Sequence, residues 1–238
     1  MKKAFTLSEV LITIAIIGIV AALTLPVIHS KYEIAVSKNK FKKNMAVLNQ
    51  MAQMAKNQYG YNFATLQVPT SNTTCASETS NDYTICGMIN DSLKNAKYLG
   101  LDNEININNK IKRGKIKCQS ICHNTNNFDF YIWQLADGSL IGINPRVGWQ
   151  DCILGDGQTV NESWLSGHFW CIGYIDTNGV DFPNQEVLCS NKNDTKMGNT
   201  EPCEVKNDLN HITDIYPFVI HDDVVEPATN ASTYLFRN

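Results

Sequence analysis

The stretch that decides the fold is AFTLSEVLITIAIIGIVAALTLPVIHS, residues 4–30, which follows two lysines near the start of the chain. From Val10 to Ser30 it has no formally charged side chain if His29 is neutral. About 20 such residues in a helix cross the roughly 30 Å hydrocarbon core of a bilayer. The stretch therefore predicts a membrane-spanning helix. Glu9 needs an explanation, because an unpaired carboxylate beside such a run is costly.

A secretory signal peptide is the main alternative interpretation. Two lysines form its basic region, residues 10–22 its apolar region, and residues 20–22 resemble a small-residue cleavage site. Against this, Glu9 interrupts the junction between the two regions, and the apolar helical pattern continues beyond Ala22. A simple membrane anchor gives no reason for Glu9 either.

The same residues carry a resemblance to a known family. KKAFTLSEVLITIAIIGIVAALTLP resembles the N-terminus of type IV prepilins and type II secretion pseudopilins, where a short basic leader precedes a small residue, Phe-Thr-Leu-x-Glu and an apolar helix. The resemblance implies that prepilin peptidase cuts between Ala4 and Phe5 on the cytoplasmic side and that the Phe5 amine is methylated. The family usually has Gly where this chain has Ala4, but alanine is small enough that we expect cleavage.

The resemblance also gives Glu9 a role. Cleavage creates a cationic amine on Phe5, about one helical turn from Glu9 on the same face. Each charge is costly alone in an apolar medium and tolerable when paired, and in the family the glutamate is thought to meet the amine of a neighbouring subunit. Gly18 and Pro26 weaken the helix, and the resemblance implies that the stretch between them melts in the filament. We therefore expect Phe5, Glu9, Gly18 and Pro26 to be assembly residues. The alternatives are a Glu9 that is solvated at the headgroups and an ordinary kinked membrane helix.

A second helical pattern follows the apolar run. Apolar residues at alternating spacings of four and three predict an amphipathic continuation, with Gly60 as its stop; they are Phe41, Met45, Leu48, Ala52, Ala55 and Tyr59. A helix from Phe5 to Tyr59 is roughly 80 Å long.

Charge divides the rest of the chain into a basic rod and an acidic head. Residues 31–57 carry +5 from six lysines and one glutamate, and residues 58–238 carry −9 from 12 basic and 21 acidic residues. We expect the lysines to form a solvated face of the helix; contact with anionic lipid is the alternative.

The head shows strand patterns towards its end. FDFYIWQLADGSLIGINP, residues 128–145, places two apolar runs around Asp137-Gly138, a hairpin signal. Residues 169–184 and 216–225 supply two more strands, and in 60–127 we expect loops with a helix near Asn90 to Leu99. About four antiparallel strands packed on the apolar stripe give an α+β fold, as the pilin resemblance implies.

The predicted division is leader 1–4, membrane or filament-core helix 5–30, amphipathic continuation 31–59 and head 60–238, with the sheet mainly in 128–225.

All eight cysteines lie in the head, and an even number beyond an apolar N-terminus indicates disulfides in an oxidising compartment. Pairing of sequential neighbours is a guess from short loop closure. The alternative is a metal site seeded by Cys118, Cys122 and His123. The cysteines are Cys75, Cys86, Cys118, Cys122, Cys152, Cys171, Cys189 and Cys203.

Two head segments suggest binding sites. Asp176, Asn178 and Asp181 offer oxygen ligands for calcium, which some major pseudopilins bind in a late loop; ordinary turn chemistry is the simpler interpretation. KIKRGKIK, residues 110–117, predicts a small hairpin around an Arg-Gly turn. Basic residues that guard a strand edge are the simpler interpretation, and binding of DNA phosphates or another anion is the alternative. The basic residues are Lys110, Lys112, Arg113, Lys115 and Lys117.

No histidine lies in a recognisable nucleophile, zinc or phosphate-loop motif. We therefore expect that the protein is not an enzyme and that it binds no cofactor other than the calcium considered above.

The sequence predicts a structural subunit of a type IV pilus or type II secretion pseudopilus. Its expected partners are other pilin subunits, prepilin peptidase, the inner-membrane assembly platform and the lipid bilayer. The expected location is the inner membrane, with the head outside the cytoplasm, and then a periplasmic pseudopilus or surface pilus. The alternative is a minor pilin that acts as a tip binding module for DNA uptake or adhesion.

Overall fold

A long helix, α1, begins at Leu7 and ends at Tyr59. The computed structural model describes residues 6–60, 62–67, 75–101, 106–107, 111–112, 130–144, 147, 152–179, 181, 183–190, 203–205 and 212–237. At 1.5 Å per residue, α1 is about 80 Å long. Gly60 ends it with a left-handed backbone (φ 73°), and its N–H donates to the carbonyl of Lys56. Glycine adopts this conformation without a Cβ penalty, so the predicted stop is confirmed.

The head contains a six-stranded antiparallel sheet in the order β1-β4-β5-β6-β7-β8. Its strands are β1 (Lys97–Leu101), β4 (Tyr131–Gln134), β5 (Leu140–Ile143), β6 (Ile172–Asp176), β7 (Ile215–His221) and β8 (Val224–Pro227). A separate two-stranded ribbon pairs β2 (Asn106–Ile107) with β3 (Ile111–Lys112). A long apolar N-terminal helix with an antiparallel sheet is the predicted α+β fold, which is confirmed.

The predicted hairpin around Asp137-Gly138 is present as β4 and β5. Gln134 pairs with Leu140, and Gly138 takes the positive φ (83°) that the turn requires. The segment 216–225 forms a hairpin rather than the single strand that we predicted, because Asp222 and Asp223 turn the chain back.

The predicted helix near Asn90 to Leu99 is wrong. The helix there, α2, spans Ile85–Ser92 and is capped by the hydroxyl of Thr84. The chain then enters β1, where the ring of Tyr98 lies 5.8 Å from that of Tyr131 and 5.3 Å from that of Trp133 on β4. These distant aromatic partners outweigh local helix propensity.

The second half of α1 packs on one face of the sheet, as its apolar stripe predicts. Phe41, Met45, Leu48, Ala52 and Ala55 are buried. The Phe41 ring stacks on that of Tyr216, with centroids 4.6 Å apart. Tyr59, the last residue of the predicted stripe, is 37% exposed, because α1 ends there.

Among the described residues, three disulfides close loops of the head: Cys75–Cys86, Cys152–Cys171 and Cys189–Cys203. These are three of the four sequential pairs predicted, so six cysteines are unavailable as thiolate ligands to a metal. The second bridge encloses the short helix α3 (Glu162–Gly167). Cys118 and Cys122 lie outside the described residues. A last helix, α4 (Asn230–Arg237), packs against α1 through the Phe236 and Phe41 rings.

Candidate functional site

The first half of α1 exposes a continuous apolar surface. Its large apolar side chains from Leu7 to Ile28 are between 40% and 79% accessible. Soluble monomers rarely expose an apolar patch beyond a few hundred Å², so this surface requires lipid or other protein around it. By length and composition, α1 is the one helix among the described residues that could cross a membrane.

Glu9 lies at the start of this apolar half and closes a capping box with Thr6. Its carboxylate accepts the Thr6 N–H and the Thr6 hydroxyl, each at 2.8 Å, and the Glu9 N–H donates to the Thr6 hydroxyl oxygen at 3.3 Å. A carboxylate at this position accepts hydrogen bonds from N–H groups that have no partner within the helix. Its negative charge also interacts favourably with the positive end of the helix dipole. Glu9 thus stabilises the start of α1 within one chain.

The sequence analysis missed this capping role, although Thr-x-x-Glu before an apolar run is its signal. The predicted partner of Glu9, the amine of Phe5, lies outside the described residues, as does Ala4. The capping box and the predicted ion pair are compatible, because a carboxylate can accept about four hydrogen bonds.

Gly18 and Pro26 lie inside α1, which continues through both. A Cβ added at Gly18 would have no atom within 4 Å, so packing within the subunit does not explain this glycine. Pro26 has no N–H to donate to the carbonyl of Ala22. The predicted weakening of the helix between the two residues, and its melting in a filament, stay predictions.

A polar cluster joins the middle of α1 to the head. The Ser37 hydroxyl hydrogen-bonds to the hydroxyls of Thr177 and Tyr216, the latter at 2.9 Å. The Lys40 ammonium donates to the carbonyl of Thr177 at 2.9 Å. Because Ser37 and Tyr216 are buried, these bonds fix the position of α1 along the sheet. We call this cluster the neck: Ser37, Lys40, Thr177 and Tyr216.

A second attachment lies near the end of α1. The Asn49 side chain donates to the carbonyl of Val225 at 2.6 Å and accepts its N–H at 3.0 Å. Lys56 makes an ion pair with Asp223 at 2.6 Å. The β7–β8 turn thus binds the end of α1. On its other side, Asp222 accepts the N–H of Leu154, beside the Cys152–Cys171 bridge.

Asp214 holds the loops next to the neck. Its carboxylate accepts the N–H groups of Asn184 at 2.9 Å and of Gln185 at 2.5 Å, and its carbonyl accepts the N–H of Thr177. Burial raises the pKa of Asp214 to about 6, although these hydrogen bonds favour the ionised form. Part of the Asp214 population is therefore protonated in mildly acidic conditions.

The two described histidines of the head make structural contacts. His168 stacks on Trp164 with ring centroids 4.3 Å apart, and its Nδ1 donates to the Trp164 carbonyl. Burial lowers the pKa of His221, but Glu226 at 3.4 Å and Asp222 at 3.2 Å outweigh this, so the pKa is raised. A cationic His221 therefore stabilises the turn that binds α1.

The residues predicted for calcium do not share one environment. Asp176 is buried at the end of β6, Asn178 is half-buried, and Asp181 is exposed. Among the described residues, no group of three or more His, Cys, Asp or Glu is placed to hold a metal ion. Calcium binding therefore stays a prediction.

The structure describes only Ile111–Lys112 of the basic segment 110–117. These two residues pair with the upstream residues Asn106–Ile107. The predicted turn at Arg113-Gly114 and the side chains of Lys110, Lys115 and Lys117 lie outside the described residues. The hairpin around that turn and anion binding by this segment stay predictions.

The comparisons with known proteins bear on the N-terminus. The family model for the prokaryotic N-terminal methylation motif matches residues 1–25. No curated protein and no solved structure shows significant similarity to the chain. The match coincides with the leader, with Glu9 and with most of the exposed apolar helix. It points to a precursor of the pilin or pseudopilin kind. The chain thus carries, in residues 1–25, the signal motif of type IV pilin and pseudopilin precursors.

Proposed function

We propose that the chain is a structural subunit of a type IV pilus or a type II secretion pseudopilus, which assembles through the first half of α1. The observation that carries this proposal is the exposed apolar half-helix, which continues without a break into a half that the head buries. Lipid covers such a surface before assembly, and the same helices of neighbouring subunits cover it afterwards. The methylation motif supports this proposal.

In this proposal, prepilin peptidase removes residues 1–4 at the cytoplasmic side of the inner membrane. Residues 5–30 then lie in the bilayer or the filament core, residues 31–59 continue the helix, and residues 60–238 form the head outside the cytoplasm. Disulfides in the head agree with an oxidising compartment. An assembly platform extracts the subunit from the membrane.

Sheared filaments test the proposal. A structural subunit should be a principal component of pili sheared from cells, or of pseudopili isolated from the cell envelope, and should begin at methylated Phe5. The alternative, a minor tip binding module, predicts a trace component, and no described residue favours it. Absence of the chain from every filament fraction, or a mature chain that starts at Leu23, would overturn the proposal.

A further inference from the structure

Three lysines lie along one line of α1, just beyond its apolar half. Lys38 and Lys42 follow Lys31 by seven and eleven residues, so at about 100° per residue the three side chains fall within about 40° of each other. Lys31 is exposed and the other two are partly exposed. In the described part of the chain, none of them makes a hydrogen bond or an ion pair. We call Lys31, Lys38 and Lys42 the lysine stripe.

The other lysines of the same helix segment are engaged within the subunit. Lys40 donates to the Thr177 carbonyl, Lys43 pairs with Asp137 at 3.2 Å, and Lys56 pairs with Asp223. The head therefore contacts Lys40 and Lys43 on other faces of α1 and Lys56 further along the same line. It leaves the three lysines of the lysine stripe without an anionic partner.

We propose that the lysine stripe binds carboxylates on the head of a second copy of this chain. This inference rests on the proposed function, since it places the contact between neighbouring subunits of a filament. Charge complementarity supports it: residues 58–238 carry 21 acidic against 12 basic residues. Like-charged heads repel one another, and a basic stripe between two heads offsets that repulsion while favouring one orientation.

The length of the stripe favours a protein partner over lipid. Lys42 lies about 16 Å beyond Lys31 along the helix axis. The headgroup region of one leaflet is only about 5–8 Å thick, and a typical tilt of about 20° shortens the projection little. If Lys31 lies at the headgroups, Lys38 and Lys42 lie beyond them, at the level of neighbouring heads.

The first experiment compares two double variants of the full chain. Lys38→Gln with Lys42→Gln removes two charges from the stripe. Lys43→Gln with Lys97→Gln removes two charges outside the stripe, one from the same helix segment and one from the exposed start of β1. We expect the stripe variant to lower filament yield at least about tenfold, equivalent to about 1.4 kcal/mol for the two lost charges together. The control should assemble like wild type. Non-reducing peptide maps and protease resistance check that both heads fold.

The second experiment uses the wild-type chain and identifies the partner. A carbodiimide joins a lysine amine to a carboxylate in direct contact, and mixed filaments of normal and heavy-nitrogen chains distinguish crosslinks between copies. We expect crosslinks from Lys38 or Lys42 to Asp or Glu of another copy's head. A membrane-impermeant acylating reagent should modify both lysines in the unassembled protein in phosphatidylglycerol vesicles and should fail to modify them in filaments.

The outcomes separate the two proposals. If wild type forms no filaments, the proposed function fails and the inference fails with it. If wild type assembles and the stripe variant assembles equally well, the inference fails and the proposed function stands. If the lysines are protected in phosphatidylglycerol vesicles and not in neutral ones, the stripe binds lipid, and the inference is overturned. Crosslinks between copies together with selective loss of assembly support it.

Discussion

Glu9→Gln separates the two roles of Glu9. In the structure the carboxylate caps α1 by accepting the N–H and hydroxyl of Thr6. Glutamine serves the same position of a capping box, so the variant keeps the cap and loses the charge. If Glu9 also pairs with the methylated amine of a neighbouring Phe5, Glu9→Gln leaves that cation without a partner. Glu9→Ala removes both roles at once and cannot distinguish them.

The two roles differ in magnitude. Losing an N-terminal cap lowers helix stability by about 0.5–2 kcal/mol. Here the cap lies at the exposed end of α1, and the head holds the other half of the helix in place. Removing one partner of a buried ion pair costs roughly 3–5 kcal/mol, equivalent to about a hundredfold to several-thousandfold in a subunit's affinity for the filament. We therefore expect processed, membrane-resident and disulfide-bonded Glu9→Gln protein that forms no filaments on its own.

The assay is filament yield in sheared fractions, with processing followed by mass spectrometry. Glu33→Gln is the matched control, because it makes the same substitution in the same helix at an exposed pair with His29, where we expect normal assembly. Thr6→Val weakens the cap and keeps the charge, so it should reduce yield only modestly. Normal filament yield from Glu9→Gln would refute the ion-pair role and leave Glu9 with capping alone.

Three other predictions can be checked on purified protein. Mass spectrometry should find a mature chain that begins at methylated Phe5, as the methylation motif directs; an intact leader in filaments would contradict this. Replacing Cys152 and Cys171 by Ser should lower the free energy of unfolding by about 3 kcal/mol, since the bridge spans a sequence separation of 19; an unchanged urea midpoint would argue against it. The raised pKa of Asp214, about 6, means that the folded chain binds this proton more tightly than the unfolded chain. Stability should therefore fall by up to about 3 kcal/mol as the pH rises from about 4 to about 6. Asp214→Asn should remove that slope in urea titrations while the exposed control Asp181→Asn keeps it, and equal slopes in both variants would disprove the assignment.

The sequence predicts well those features that nearby residues determine. The extent of α1 follows from an apolar run, a periodic stripe and Gly60, all readable within a few turns of the helix. The first hairpin follows from Asp137-Gly138 between two apolar runs. The short cysteine spacings suggested sequential pairing, and the pairs of Cys75 and Cys152 follow it.

Features that depend on distant partners were harder to predict. The strand at Lys97–Leu101 forms because β4 supplies aromatic partners for Tyr98, more than 30 residues away in sequence. The neck joins Ser37 to Thr177 and Tyr216, and isolated hydroxyl residues carry no sequence signal for such pairing. The capping box of Thr6 and Glu9 has a local signal in Thr-x-x-Glu, whereas pairing of Glu9 between subunits depends on a second chain.

The neck and the second attachment, at Asn49 and Lys56, together have a mechanical consequence. Ser37 and Lys56, which belong to the two attachments, are 19 residues apart in α1, or about 28 Å along the axis. A force applied along α1 at its N-terminal end acts parallel to the interface between α1 and the head. It therefore loads the contacts of both attachments at the same time. Shear of this kind must break many contacts at once, whereas peeling breaks them one by one. In the proposed function, an assembly platform that draws the helix out of the bilayer would therefore move helix and head as one body. We expect the helix to unfold first between Gly18 and Pro26.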